Sequence, residues 1–276
     1  LIQKNTLKID GVNLIAEDFF IVNDFFQIDL KDFSLKSDDF GNLTSLKTKI
    51  TIDPCEIGVE SFQAKLEESI LNGSFKLEKQ NPELDFLNNQ SLINLTINKS
   101  SVSSQLIKKF ISVPENFQPL NIGFNANGLL SDLQLNGLTV KNQHVDFAAN
   151  LNIENDLSNS FFKLSTNINN LIFTPSNLPF FLTKSLIEKI PKKLLAYEEV
   201  KVFGDIFYEG ELLTSNLNYS FDNSNVIQKG VVTFKNNKPN QFNGSFDINN
   251  LSLKPLDDRL DRLDAKLHVS VNNLSL

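Results

Sequence analysis

The chain has 276 residues, enough for one extended body or two compact domains, and its 41% hydrophobic content can bury a sizeable core, which excludes a disordered tail. With 26 basic against 33 acidic side chains and a net charge of -7, it offers a polyanion no electrostatic footprint, so no nucleic-acid partner is expected. The single Cys55 rules out an internal disulfide and a thiolate metal site.

The first readable element, Ile9-Asp10-Gly11-Val12-Asn13-Leu14, sets a six-residue pattern of apolar, any, Asn/Asp/Gly, apolar, any, apolar. It returns at Leu30–Leu35, Leu135–Val140, Ile168–Phe173, Ile248–Leu253 and Val271–Leu276. In a regular strand, side chains i and i+3 point to opposite faces, so this apolar set would be split between core and solvent. One extra residue repairs the phase. A β-bulge supplies it, and Gly, Asn and Asp suit a bulge because they most readily leave the extended region. Bulged strands with one apolar face predict a long, curved sheet.

Between these repeats, two-residue alternation predicts strands at Phe26–Leu30, Leu46–Ile52, Gly73–Leu77 and Ile93–Ile97. A short helix is expected over about 101–111, where Val102, Leu106 and Phe110 are spaced four apart between Ser100-Ser101 and Pro114. Alternation resumes at Leu120–Phe124, Val145–Ile153 and Phe162–Ile168. A second helix is expected over about 180–195, with Leu182, Leu186 and Ile190 at helical spacing between Pro179 and Pro191. Strands follow at Val200–Tyr208, Leu217–Phe221, Val232–Phe234, Phe242–Ile248 and Leu267–Val271, with at most one helical turn after Pro255. Both helices sit between strands, a loose internal duplication. Polar residues hold the other face throughout, as in antiparallel strands wet on one side, and turn chemistry at Asn127-Gly128 and Asn223-Ser224-Asn225 makes them a meander. About fifteen strands at roughly 4.8 Å spacing would form a ribbon on the order of 70 Å long. A sandwich, a closed barrel or a half-pipe would each bury the apolar face.

The repeated bulged strands, the stretch Gly128-Leu129-Leu130-Ser131-Asp132-Leu133-Gln134-Leu135-Asn136-Gly137-Leu138 and the helix opening Ser100-Ser101-Val102 resemble the TamB and AsmA-like group of bacterial envelope proteins. The likeness covers nearly the whole chain in texture and order, without an invariant signature residue. It implies an all-β, long, twisted antiparallel half-pipe, a β-taco, with an apolar concave face and two short inserted helices. It further implies a location in the periplasm of a Gram-negative bacterium, an inner-membrane anchor outside this segment, phospholipids as cargo and a TamA-like barrel of the Omp85 type in the outer membrane as partner. No apolar run approaches the roughly 20 residues that span a bilayer and no signal peptide is readable. With no methionine and an opening in mid-pattern at Leu1-Ile2, residues 1–276 are expected to be a continuous β-sheet segment of a longer protein.

The expected groove wall takes the inward set of each strand. In the first half it comprises Ile93, Leu95, Ile97, Ile122, Phe124, Leu133, Leu135 and Leu138. In the second half it comprises Phe147, Leu151, Ile168, Leu171, Phe173, Phe246, Ile248, Leu251 and Leu253. Each of these residues taken singly reads first as ordinary sheet-face packing, and the opposite wall as protein or lipid. The segment 179–195 sets Phe181, Leu182, Leu186 and Ile190 beside Lys184, Lys189, Lys192 and Lys193. Such a basic amphipathic helix lies over a groove, touches anionic headgroups, or simply caps the sheet. The aromatic set, Phe 24 against Tyr 3 and Trp 0, suits apolar contacts and not sugar platforms, though AT-rich codons enrich Phe as well.

Enzyme signatures are missing: there is no nucleophile elbow, zinc-binding HExxH helix, P-loop or dinucleotide-binding turn. His144 and His268 each stand alone and read as surface strand residues, and the acidic cluster Asp257, Asp258, Asp261 and Asp264 is interrupted by Arg259 and Arg262. A non-enzymatic protein without cofactor or metal is expected. Three roles remain open: a lipid-conducting segment, a structural or adhesive β-repeat module sealed by its own second sheet, and an assembly factor for outer-membrane barrels that works through its strand edges.

Overall fold

Two-residue alternation yields fifteen strands, each hydrogen-bonded to its neighbours in sequence, in one open sheet ordered β1 to β15. The computed structural model describes residues 9–37, 42–156, 161–182, 184–188, 190, 192–221, 223–236, 238–254 and 259–272. The first seven strands are β1 (Ile9–Val22), β2 (Phe25–Ser37), β3 (Leu43–Ile52), β4 (Glu56–Leu66), β5 (Ser69–Glu78), β6 (Leu92–Val102) and β7 (Leu120–Leu129). Then come β8 (Asp132–Lys141), β9 (Val145–Asp156), β10 (Phe161–Phe173), β11 (Val200–Glu209), β12 (Leu212–Phe221), β13 (Ser224–Lys235), β14 (Lys238–Ser252) and β15 (Arg262–Asn272). Left-handed residues turn several of the hairpin corners, among them Asn23 (φ 51), Glu67 (φ 52), Gly210 (φ 59) and Asn223 (φ 61).

The chain divides into two compact units. Unit 1 holds Leu1–Ser112 with Gln118–Leu133, and unit 2 holds Val113–Phe117 with Gln134–Leu276. Four of the six repeats carry the expected bulge, and the repeat at Val271–Leu276 runs outside the described residues. Register shifts separate Asp10 from Asn13, Leu30 from Phe33, Ile168 from Leu171 and Ile248 from Leu251. Gly11 (φ 63), Gly137 (φ 62) and Asn250 (φ 58) take the left-handed conformation inside four-letter steps of that pattern. Further bulges between Val59 and Phe62 and between Ile97 and Ser100 lack Gly or the full pattern and were not legible.

The two insertions are smaller than their spacing predicts. In unit 1, β6 continues as strand to Val102, and the helix α1 covers only Ser104–Lys108, so Val102 and Phe110 do not share a helical face with Leu106. Ser103 explains the start: its hydroxyl accepts from the Leu106 N–H at 3.3 Å and caps the helix. Leu106 is buried, whereas Phe110 is 72% exposed. In unit 2, no continuous helix runs over 180–195 among the described residues. A 3₁₀ turn at Pro175–Phe180, a single α turn at Lys184–Ile187 (α2) and a 3₁₀ turn at Lys192–Ala196 take its place. Pro179 within the first turn removes a donor, and Pro191 disfavours the helical conformation just before it. The helical turn expected after Pro255 lies outside the described residues. Both insertions join neighbouring antiparallel strands just after a bulge, β6 to β7 and β10 to β11, which is the duplication expected from the sequence.

Candidate functional site

Directly opposed residues of an antiparallel pair share a face, so the register fixes which side chains lie together. In unit 1 one cross-strand row runs Ile28, Ile50, Val59, Phe75, Leu95, Ala126 from β2 to β7. Ile93 lies opposite Leu77 and Gly128, and Ile97 opposite Gly73 and Phe124, on the same face. Past the bulge, Ile122 meets Ser100. The register therefore brings Ile93, Leu95, Ile97, Ile122 and Phe124 onto one apolar face, together with β2–β5 residues that the sequence reading did not nominate.

In unit 2 a row runs Phe147, Leu171, Val202, Tyr219, Val226, Ile248, Ala265 from β9 to β15. The next row runs Ala149, Ile168, Gly204, Leu217, Gln228, Phe246, Leu267. Leu151 faces Thr166, Phe173 faces Val200 and Leu251 faces Leu263 on that side too. On β8, Leu133, Leu135 and Leu138 are half-buried between exposed neighbours, and the phase changes at Asn136-Gly137. Leu253 lies just past β14, where its N–H donates to the Asp261 carbonyl. Val202, Tyr219 and Val226 were readable as alternating apolar positions but could not be ranked above their neighbours without the register.

All described strands belong to one sheet, and the apolar rows of each unit lie on one face of it. Ile168, Val202 and Ile248 are buried, while Phe124, Phe147, Leu151, Leu171 and Phe246 are half-buried. Burial raises the Tyr219 hydroxyl above its ordinary pKa, as expected for a phenol set among apolar side chains. One polar pair interrupts unit 2's face: buried Gln228 donates its amide to Ser215 Oγ at 2.9 Å. The other face is wet and charged, with ion pairs such as Lys76 to Glu56 and Glu78, and Lys163 to Glu154. Shallow depressions bordered by Lys229, Asn243, Ser245 and His268 open on that polar side.

Unit 2's insertion is pinned at two places. Phe180 stacks on His144 with ring centroids 4.1 Å apart, and Phe181 meets Phe117 edge-on at 6.3 Å. Tyr197 donates its hydroxyl to the Ser252 carbonyl at 2.8 Å and sets its ring edge-on to Phe221 at 4.9 Å. Leu182 and Ile190 are half-buried and Lys184 is exposed. Lys189 and the Leu186 side chain lie outside the described residues. His144 is not the lone strand residue expected: it sits in the turn before β9 and is held by aromatic contacts from a segment more than thirty positions away, which no local pattern announces. His268 is an exposed residue on the polar face of β15.

Comparison of the chain with protein-family models, with curated proteins and with solved structures finds no match.

Proposed function

We propose that the chain is a segment of a TamB- or AsmA-like periplasmic protein whose sheet curves into a half-pipe and shields lipid acyl chains along its apolar face. In this reading it carries phospholipid between the inner and outer membranes and works with a TamA-like barrel. The observation that carries the proposal is the register-matched apolar face of each unit, many of whose side chains are only half-buried. Sheltering hydrocarbon contributes roughly 0.8 kcal/mol per CH₂, so a tail of about sixteen carbons exposed to water is a barrier on the order of 10 kcal/mol. A continuous apolar track lowers that barrier and needs no specific polar site.

The tyrosines provide a built-in test. The chain has no Trp and 3 Tyr. Tyr208 and Tyr219 lie on unit 2's apolar face, and Tyr197 packs on Phe221 beside them. Tyrosine emission therefore reports this face selectively. Brominated phospholipid is expected to quench it, and phospholipid is expected in organic extracts of the protein purified without detergent. The paired substitution Phe124→Asp and Phe246→Asp is expected to abolish both signals in a protein that still folds. A folded, lipid-free protein whose tyrosines ignore brominated lipid would overturn the proposal.

A further inference from the structure

Phe110 is 72% exposed, more than any other described phenylalanine, and its neighbour Ile111 is 58% exposed. Neither belongs to the sheet: both follow α1 in unit 1's insertion between β6 and β7. Their position is fixed by the backbone. The Phe110 N–H donates to the Ile107 carbonyl at 3.0 Å, and the Ile111 N–H to the same carbonyl at 3.1 Å. Buried Leu106 anchors the turn, and Ser103, which caps it, donates its own N–H to the fully buried Ser69. Singly exposed apolar residues are ordinary, but two adjacent large ones displayed on a capped turn form a patch. Its surroundings are basic. Residues 99–114 carry Lys99, Lys108 and Lys109 and no acid, in a chain whose net charge is -7. Lys108 and Lys109 are exposed directly before Phe110. The adjoining β4–β5 hairpin sets Ile70, 41% exposed, opposite Lys65, and its acids are Glu68 and a Glu67 already engaged by the Asn42 N–H and Lys109. Leu87, 76% exposed in the loop between β5 and β6, has the opposite company, with exposed Glu83 and Asp85 close by in sequence.

We infer that the α1 turn is a membrane-surface contact: Phe110 and Ile111 enter the boundary between headgroups and acyl chains of an anionic bilayer, and Lys108 and Lys109 meet its phosphates. Interfacial contacts pair bulky apolar side chains with lysines whose stems follow the apolar surface while their ammonium groups stay at headgroup level. An apolar pocket on another protein would require only Phe110 and Ile111. The run of lysines without an acid matches a negatively charged surface instead. Because the turn is already capped and anchored, little conformational freedom is lost on contact. Two apolar side chains and two charges give weak, reversible attachment, one of the two signals that stable anchoring takes. The contact is separate from the apolar face of the sheet, and the inference does not depend on what that face carries.

The experiment uses the whole chain in a Cys55→Ser background, with an environment-sensitive nitrobenzoxadiazole label on Ser112→Cys. Vesicles of phosphatidylglycerol and phosphatidylethanolamine in equal parts are titrated to millimolar lipid. A blue shift of the label is expected, quenched by brominated acyl chains and weaker in high salt or on phosphatidylcholine vesicles. Phe110→Ser with Ile111→Ser is expected to weaken vesicle binding by more than about tenfold, and Lys108→Gln with Lys109→Gln by about tenfold. All four positions are exposed, so circular dichroism and urea midpoints are expected to match the parent. The same label on Gln90→Cys, in the acidic loop that holds Leu87, is expected to stay unshifted. The Phe124→Asp, Phe246→Asp protein is expected to keep the vesicle contact, which separates this contact from lipid carriage on the sheet. A folded chain that stays off vesicles at every lipid concentration overturns the inference, as it would if a protein partner covered the turn. So does a blue shift that survives the loss of Phe110 and Ile111, undiminished binding by the double glutamine variant, or an equal shift at Gln90.

Discussion

The two units solve one geometric problem by different means. In unit 1, all six described strand pairings, from β1–β2 to β6–β7, contain a register shift. In unit 2, β11–β12 and β12–β13 pair without any shift over their whole length. The apolar face survives both arrangements, because a bulge resets phase where the pattern is broken and nothing needs resetting where it is regular. The unshifted stretch contains one tight point. Gly204 lies on β11 at φ +131, with the Asn216 carbonyl directly against the place a side chain would occupy. Close backbone approach and the positive φ there suit glycine alone.

Deleting Asn218 from the unshifted stretch is the strongest way to break this comparison. It sets Tyr219 directly after Leu217 with no bulge to reset the phase, so Tyr219 and Phe221 turn to the wet face. Transfer of two large apolar side chains predicts a loss of about 3–5 kcal/mol, read as a lower urea midpoint. An unchanged midpoint would mean that regular alternation does not set the face. Gly204→Ala is next, at about 2–4 kcal/mol, because the new side chain meets backbone that cannot move aside and the conformation is strained for any L-residue. The same change at Gly210, a hairpin corner with open space around it, isolates the conformational part and is expected to cost less.

The fold was largely legible because it is repetitive and local. A period of two, a phase break marked by Asn, Asp or Gly, and turn residues suffice to write an antiparallel meander, and the strand count follows. What escaped was set by distance. The α1 helix lost its first turn to β6, since pairing of Val102 with Leu120 outweighs the weak propensity of a five-residue helix. The second insertion is held by Phe117, His144 and Tyr197, none of which advertises its partner. The expected face residues were recoverable from alternation, but Val202, Tyr219 and Val226 needed the register before they could be placed among them.

Polar residues on the apolar face sharpen the contrast further. Gln228 and Ser215 lie in the unshifted part of unit 2 and satisfy each other. Ser215→Ala leaves the buried amide without that partner and is expected to cost about 1–3 kcal/mol. Adding Gln228→Leu removes the orphan, so the double variant is expected to recover most of the loss in a urea melt. Additive losses would show that the pair is valued for something other than hydrogen bonding.

The smallest effect separates the two insertions. Unit 2's is held by aromatic rings, whereas unit 1's is held by polar contacts. Ser103's N–H donates to Ser69 Oγ at 2.9 Å, and Lys109 Nζ lies 3.5 Å from Glu67. The Glu67 carboxylate accepts the Asn42 N–H at 3.0 Å, and that bond, with help from Lys109, holds its pKa below the ordinary carboxylate value. A carboxyl whose folded-state pKa is depressed contributes stability that is fully present above its unfolded value and is lost as pH falls through the folded one. The contribution therefore exists at neutral pH and disappears in acid. Glu67→Gln is expected to lower unit 1's urea midpoint slightly at neutral pH, and the gap from wild type is expected to close as the pH falls through the depressed Glu67 pKa. Hydrogen exchange localises the effect to the hairpin around Glu67 and α1, and unit 2's insertion should exchange identically in both proteins. A gap that persists in acid would assign the loss to the left-handed turn conformation at Glu67 and not to its charge.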